Sequence, residues 1–180
     1  GRRRRLSRPG GLPHGARLPG MFSRILLATD FSEPSEQAYP WAAQLAASNG
    51  GTVVLVNVLE GDLVANAPLF AGYMQTDALD LGRYREEFEK AAQTALDAAA
   101  EKIRALGADV ETHLVQGKRA SETLVQAAED LDCGVIVIST HGRGGLAKFL
   151  LGSTAEKVVR TAQRPVFTIH LGDPGPGDDA

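Results

Sequence analysis

The sequence predicts an α/β domain, a single doubly wound five-stranded parallel sheet flanked by helices. Two observations carry this. Short apolar runs rich in Val, Ile and Leu alternate with longer segments of helical period, in the order βαβαβαβαβ. A parallel sheet covered on both faces needs strands that are apolar throughout, and Arg24-Ile25-Leu26-Leu27-Ala28-Thr29, Thr52 to Leu59 and Gly134-Val135-Ile136-Val137-Ile138 read that way. No repeat is visible, so one domain suffices.

The first strand ends at Asp30. Ser32-Glu33-Pro34-Ser35-Glu36 offers a cap, an early proline and early acids for a helix running through Trp41, Ala42, Leu45 and Ala46 to the stop at Asn49-Gly50-Gly51. Pro40 lies inside that helix and predicts a kink or a late start. After the second strand, residues 61–80 are the least regular internal stretch. A long helix follows, with apolar positions at Leu81, Tyr84, Phe88, Ala91, Ala95, Ala98, Ala99, Ile103 and Leu106, stopped by Gly107.

Ala108 to Val115 alternates apolar and polar residues, which suits an edge strand with one wet face. The next helix spans about Ala120 to Leu131 with Leu124, Val125 and Ala128 inward. After the fourth strand and a glycine-rich loop come a last helix to Ala162 and the strand within Pro165-Val166-Phe167-Thr168-Ile169-His170. That last strand, Val166 to Ile169, is apolar and closes the domain, so its open edge invites pairing with a second copy.

Charge is distributed unevenly. Of 19 basic and 22 acidic residues, six arginines fall in residues 1–20 and three acids after residue 172, leaving 13 against 19 between. An acidic body argues against nucleic acid as the main partner. Residues 1–20 read as a disordered basic extension or a start-site artefact, residues 21–172 as the domain, and residues 173–180 as a disordered acidic tail. No apolar stretch is long enough to span a bilayer, and the basic start lacks the apolar core of a signal peptide. The single cysteine, Cys133, stands just before a buried strand, where a small apolar residue is the default. A cytoplasmic protein without membrane contact is expected.

The chemistry concentrates after the fourth strand, in Ser139-Thr140-His141-Gly142-Arg143-Gly144-Gly145, followed by Gly152-Ser153-Thr154 at the start of the last helix. Glycines let an anion approach backbone amides, and a helix start offers unpaired N–H groups, the positive end of a dipole and a hydroxyl. Two readings stay open on the residues alone, a phosphate cradle or a turn followed by an ordinary serine cap. No G-x-G-x-x-G opens a helix after a strand, and no G-x-x-x-x-G-K-[ST] occurs, so neither dinucleotide fingerprint nor P-loop is present. Ligands of open α/β sheets sit beyond the carboxyl ends of the strands where strand order reverses. Asp30 and Ser139 both lie just past strand ends, and they share one crevice if the first and fourth strands are neighbours.

Three segments together resemble the universal stress protein family. They are Ile25-Leu26-Leu27-Ala28-Thr29-Asp30-Phe31-Ser32, Leu55-Val56-Asn57-Val58 (the family often has His at the Asn57 position), and the tail in which Gly142, nine residues and Gly152-Ser153 match G-x-x-G, nine residues, G-[ST]. The resemblance covers about 150 residues, Phe22 to Leu171, and departs at Ser139, where the nucleotide-binding pattern has its first glycine. It implies a Rossmann-like fold of the adenine nucleotide alpha hydrolase type and a stress-response, ATP-binding regulatory protein. Ala28 and Thr29 would then line the crevice, with Asp30 near the ribose and adenine. The Val58 backbone would meet the adenine edge, and Ile138 and Ser139 would support sugar and phosphates. Gly142, Gly152, Ser153 and Thr154 would cradle the phosphates, with His141 and Arg143 nearby.

A polyphosphate beside Asp30 implies a companion Mg²⁺ or Mn²⁺ held through the phosphates. The resemblance also implies a homodimer through the last strands. No catalytic set for phosphoryl transfer is visible, which leaves at most slow ATP hydrolysis. The contrasting expectation is a nucleotide-free dimeric interaction protein of the same fold. A receiver-type phosphoacceptor domain fits poorly, because the expected acidic cluster beside an acceptor Asp and its lysine are absent.

Overall fold

A computed structural model of the chain describes residues 20, 22–61, 81–140, 151–170 and 176. Its five strands are β1 (Arg24–Ala28), β2 (Thr52–Glu60), β3 (Asp109–Gly117), β4 (Val135–Ser139) and β5 (Val166–Ile169). All neighbours pair in parallel, in the order β3-β2-β1-β4-β5. The chain therefore winds outward from β1 to β3, returns to the other side of β1, and winds outward again to β5. The reversal falls between β1 and β4, with Leu27 opposite Val137.

The helices are α1 (Glu33–Glu36), α2 (Tyr39–Asn49), α3 (Leu81–Ala105), α4 (Ala120–Asp130) and α5 (Ser153–Thr161). Strand alternation splits the core into two layers. On one face Ile25, Leu27, Val53, Leu55, Val135 and Val137 pack against α2 and α3. On the other, Leu26, Ala28, Val54, Val56, Ile136 and Ile138 pack against α4 and α5. Burial of the three central strands on both faces explains why their sequences show no alternation. β3 and β5 are the edges, as the polar alternation of β3 and the terminal position of β5 led one to expect, and none of β3 is fully buried.

Pro40 produces a late start. The helix expected from Ser32 onward is divided into the single turn α1 and a separate α2 with Pro40 in its first turn. A proline cannot donate to the preceding turn, and its ring crowds the carbonyl four residues back, so the ladder breaks before it. Ser32 caps α1, its side chain accepting from the Ser35 amide. At the other end of α2, Gly50 adopts φ 63°, and the Gly51 amide donates to the Ala46 carbonyl at 2.9 Å, an αL stop that suits glycine.

The stripe expected on α3 holds at Ala99 and Ile103 and shifts elsewhere. The buried positions are Leu96, Ala99, Ala100 and Ile103, whereas Ala91 and Ala98 are exposed and Phe88 and Leu106 are 42% and 50% exposed. Alanine is so frequent in this helix that several stripes can be drawn through it. Only the long side chains Leu96 and Ile103, seven residues apart, identify the face that packs. Residues 62–80 lie outside the described residues. On α4, Leu124, Ala127 and Ala128 are buried and Val125 packs at the margin of the second layer. Cys133 is fully buried in that layer.

Candidate functional site

The site is built at the carboxyl ends of β1 and β4, which are adjacent. Ala28 and Ile138 face the α4/α5 layer and are 6% exposed. Past Ala28 the ladder continues for one residue, the Thr29 amide donating to the Val56 carbonyl at 3.0 Å. By strand alternation Thr29 turns its side chain to the other face. There its Oγ1 lies 2.7 Å from the Tyr39 hydroxyl and 3.2 Å from Ser35 Oγ. Thr29 thus presents backbone to the crevice, while its hydroxyl belongs to a buried polar cluster. Burial, the largest influence, pushes the Tyr39 hydroxyl above its ordinary pKa, so it stays protonated and able to bond.

The chain then turns sharply. Phe31 adopts φ 62°, a conformation bulky residues rarely take. Its amide donates to Thr29 Oγ1 at 3.1 Å, and the Ser32 amide donates to Asp30 Oδ1 at 3.0 Å. Ser32 Oγ also donates to Asp30 Oδ1, at 2.5 Å. The Asp30 carboxylate is engaged in the turn that starts α1, at the mouth of the crevice.

Across the boundary, Ser139 is 8% exposed and Thr140 is 1% exposed. Alternation along β4 groups Ser139 with Val135 and Val137, away from the Ala28 and Ile138 side. The Thr140 amide donates to the Ile169 carbonyl at 2.9 Å, and its carbonyl accepts from the Gly152 amide at 2.6 Å. That second bond holds the start of α5 against the end of β4. Gly152 is the N-cap of α5, with φ −58° and ψ 147°, and as a glycine it brings no side chain to cap the helix. The first-turn amides of Ser153 and Thr154 have no carbonyl partner within the helix, so this end can receive an anion.

Ala28, Thr29, Asp30, Ile138 and Ser139 therefore meet at one switch point, with Gly152, Ser153 and Thr154 tied to it. Val58 stands on β2, two residues beyond the Val56 that pairs with Ala28. His141, Gly142 and Arg143 lie outside the described residues. Among the described residues no group of three or more His, Cys, Asp or Glu gathers to hold a metal ion.

Two features of the site were not anticipated. Asn57, 6% exposed in an otherwise apolar run, donates from Nδ2 to the Thr29 carbonyl at 2.8 Å. Glu60, at the end of β2, accepts from the Ala120 amide at 2.6 Å and serves α4, which has no side-chain cap of its own in Arg119. A polar residue inside an apolar strand is a legible signal for the first. The second depends on a contact between residues 60 apart and has none.

Comparison with known proteins places this geometry. A family model described as the universal stress protein family matches residues 21–170. Universal stress protein MJ0577 of Methanocaldococcus jannaschii is 26% identical over 157 residues, covering 83% of this chain and 95% of that protein. Universal stress protein YxiE of Bacillus subtilis is 29% identical over 150 residues, covering 83% and 100%. Among solved structures, that of MJ0577 shares the fold at TM-score 0.70 and 23% identity, covering 86% of this chain and 99% of that one. The universal stress protein of Archaeoglobus fulgidus in complex with dAMP has TM-score 0.59 and 26% identity, covering 83% and 98%. A universal stress protein in complex with cAMP has TM-score 0.57 at 24% identity, covering 83% and 98%. Adenine nucleotides thus occupy some structures of this kind. With the family model spanning both winding halves of the sheet and the switch point between them, the chain belongs to the universal stress protein family.

Proposed function

We propose that this protein is a stress-response regulatory module that holds ATP, with Mg²⁺ or Mn²⁺, in the crevice between the ends of β1 and β4. The observation that carries the reading is the start of α5, whose N-cap is a glycine without a capping side chain and which is bonded through Gly152 to Thr140 at the end of β4. In the proposed site this helix end and the turn at Asp30 flank one crevice. In the proposed complex the apolar faces of Ala28, Ile138 and Val58 receive the nucleoside, and Gly152, Ser153 and Thr154 receive the phosphates, with Gly142 completing the cradle. A cation bound through the phosphates offsets the charge of Asp30. The dAMP complex of the Archaeoglobus fulgidus relative supports an adenine nucleotide as the ligand class.

The function assigned is binding and signalling. We further propose a cytoplasmic homodimer that pairs through β5, where Phe167 is 45% exposed on a strand hydrogen-bonded on one side to β4. Among the described residues no helix is long and apolar enough to cross a membrane. The direct test is to denature freshly purified protein and chromatograph the supernatant. Released adenine nucleotide in near-stoichiometric amount supports the reading. Nucleotide-free protein that also fails to take up added MgATP would instead favour a dimeric interaction protein, for which the exposed Phe167 is the supporting feature.

A further inference from the structure

Thr29 is bonded at every polar atom. Its amide reaches the Val56 carbonyl, its hydroxyl meets Tyr39, Ser35 and the Phe31 amide, and its carbonyl accepts from Asn57 Nδ2. The turn that follows needs this, because Phe31 sits at φ 62°, and a bulky side chain keeps such a backbone only where the surroundings over-determine it. Asn57 stands out among the partners. Its strand neighbours Val56 and Val58 are apolar, and a buried amide in that position is unfavourable unless it is hydrogen-bonded. A leucine or valine would fill the same space in the strand. What the amide adds is a donor aimed at the last backbone carbonyl before Asp30.

We propose that Asn57 is a positioning residue that, by donating to the Thr29 carbonyl across the β1–β2 boundary, fixes the Thr29–Ser32 turn and thereby the presentation of Asp30 to the nucleotide crevice. The ligand part rests on the nucleotide-binding reading above. The turn itself can be followed without any ligand, so the two can fail separately. The titratable groups around this point are Tyr39 on α2, Asp30 in the turn and Glu36 on α1, the last paired at 2.7 Å with Lys102 of α3.

The informative substitution is Asn57→Asp, which keeps the shape and makes donation depend on protonation. An ionised carboxylate cannot donate to the Thr29 carbonyl, and a protonated one can. Burial raises the carboxyl pKa, so recovery should set in as pH falls from about 7.5 to about 5. Amide exchange protection at Phe31 and Ser32, corrected for intrinsic rates and referred to Val54 and Leu55, reads the turn. MgATP affinity, measured against wild type at each pH, reads its consequence.

Protection and relative affinity should both drop about tenfold at the higher pH, the effect of losing one buried hydrogen bond, and both should recover at the lower pH. Asn57→Ser, uncharged and too short to reach, should lose both at every pH and serves if the Asp variant does not fold at neutral pH. Unchanged protection at Phe31 and Ser32 in both variants overturns the proposal. Lost protection with unchanged MgATP affinity also overturns it, because the turn would then not present Asp30 to ligand. Should wild type fail to bind MgATP, the nucleotide reading falls, and the exchange data alone decide whether Asn57 sets the turn.

Discussion

The Gly152 amide donates to the Thr140 carbonyl at 2.6 Å, joining the first residue of one helix cap to the last described residue of the β4 end. The α5 start is thereby held at the carboxyl end of β4, the strand that pairs with β1.

The hydroxyl of Ser153 gives the first prediction. It stands at the first helical position of α5, directly after the N-cap Gly152. Ser153→Ala should weaken MgATP binding by about 1.5–3 kcal/mol, the range for a hydrogen bond to a charged group. The melting transition should stay where it is. Titration calorimetry and a thermal melt on the same preparation check both halves, and an unchanged affinity removes Ser153 from the cradle.

Dimerisation through β5 has a backbone signature. The carbonyls of Pro165 and Ile169 accept from the Ile136 and Thr140 amides, so the odd-numbered groups of β5 face β4. Alternation then turns the Thr168 amide to the open edge. Thr168→Pro should convert a dimer to a monomer in sedimentation or scattering while leaving the fold intact, since proline is tolerated on an edge. A dimer that survives this change pairs elsewhere.

At the opposite end of the sheet, Arg24 holds Glu111 through two bonds of 2.9 and 2.7 Å. The guanidinium hydrogen bond is the main reason the Glu111 carboxyl lies below its ordinary pKa. A depressed folded-state pKa means the stabilisation is present above the unfolded value and is lost as pH falls through the folded one. Both side chains are partly exposed, at 30% and 46%, so screening keeps the contribution small, about 1 kcal/mol or less. Glu111→Gln should lower stability slightly at neutral pH, with the difference from wild type shrinking on acidification. A difference that grows in acid would contradict this pairing.

Cys133 is fully buried, and burial pushes its thiol up to about 11. The reactive thiolate is therefore scarce at neutral pH. Native protein should react with a maleimide far more slowly than protein unfolded in guanidinium. Rapid labelling of the folded state would show that the second core layer opens readily.

Much of the fold was legible because the physics is local. Four-residue apolar stretches such as Ile25 to Ala28 admit little but a doubly covered strand, and Gly50 and Gly107 end their helices with φ of 63° and 89°. The edge position of β3 followed from polar residues such as Glu111 and His113. Legibility failed where residues carry little side-chain information, as in alanine-rich α3, or where a contact spans the chain, as in Glu60 to Ala120. The site was legible as strand ends and small residues. The inward turn of the Thr29 hydroxyl depends on strand parity and on Tyr39 from α2, which no short motif encodes, whereas Asn57 is marked by its polarity within an apolar strand.

The central claim is that the α5 start holds phosphate. Gly152 sits at φ −58° and ψ 147°, a backbone open to any residue, so Gly152→Val adds a branched side chain at the cradle without backbone strain. The most direct measurement is MgATP and AMP titration of wild type and Gly152→Val in parallel, with thermal melts on both. ATP should bind wild type more tightly than AMP, and the variant should lose ATP binding while melting cooperatively at a similar temperature. Equal affinities for ATP and AMP, or undiminished ATP binding by a well-folded Gly152→Val, would contradict it.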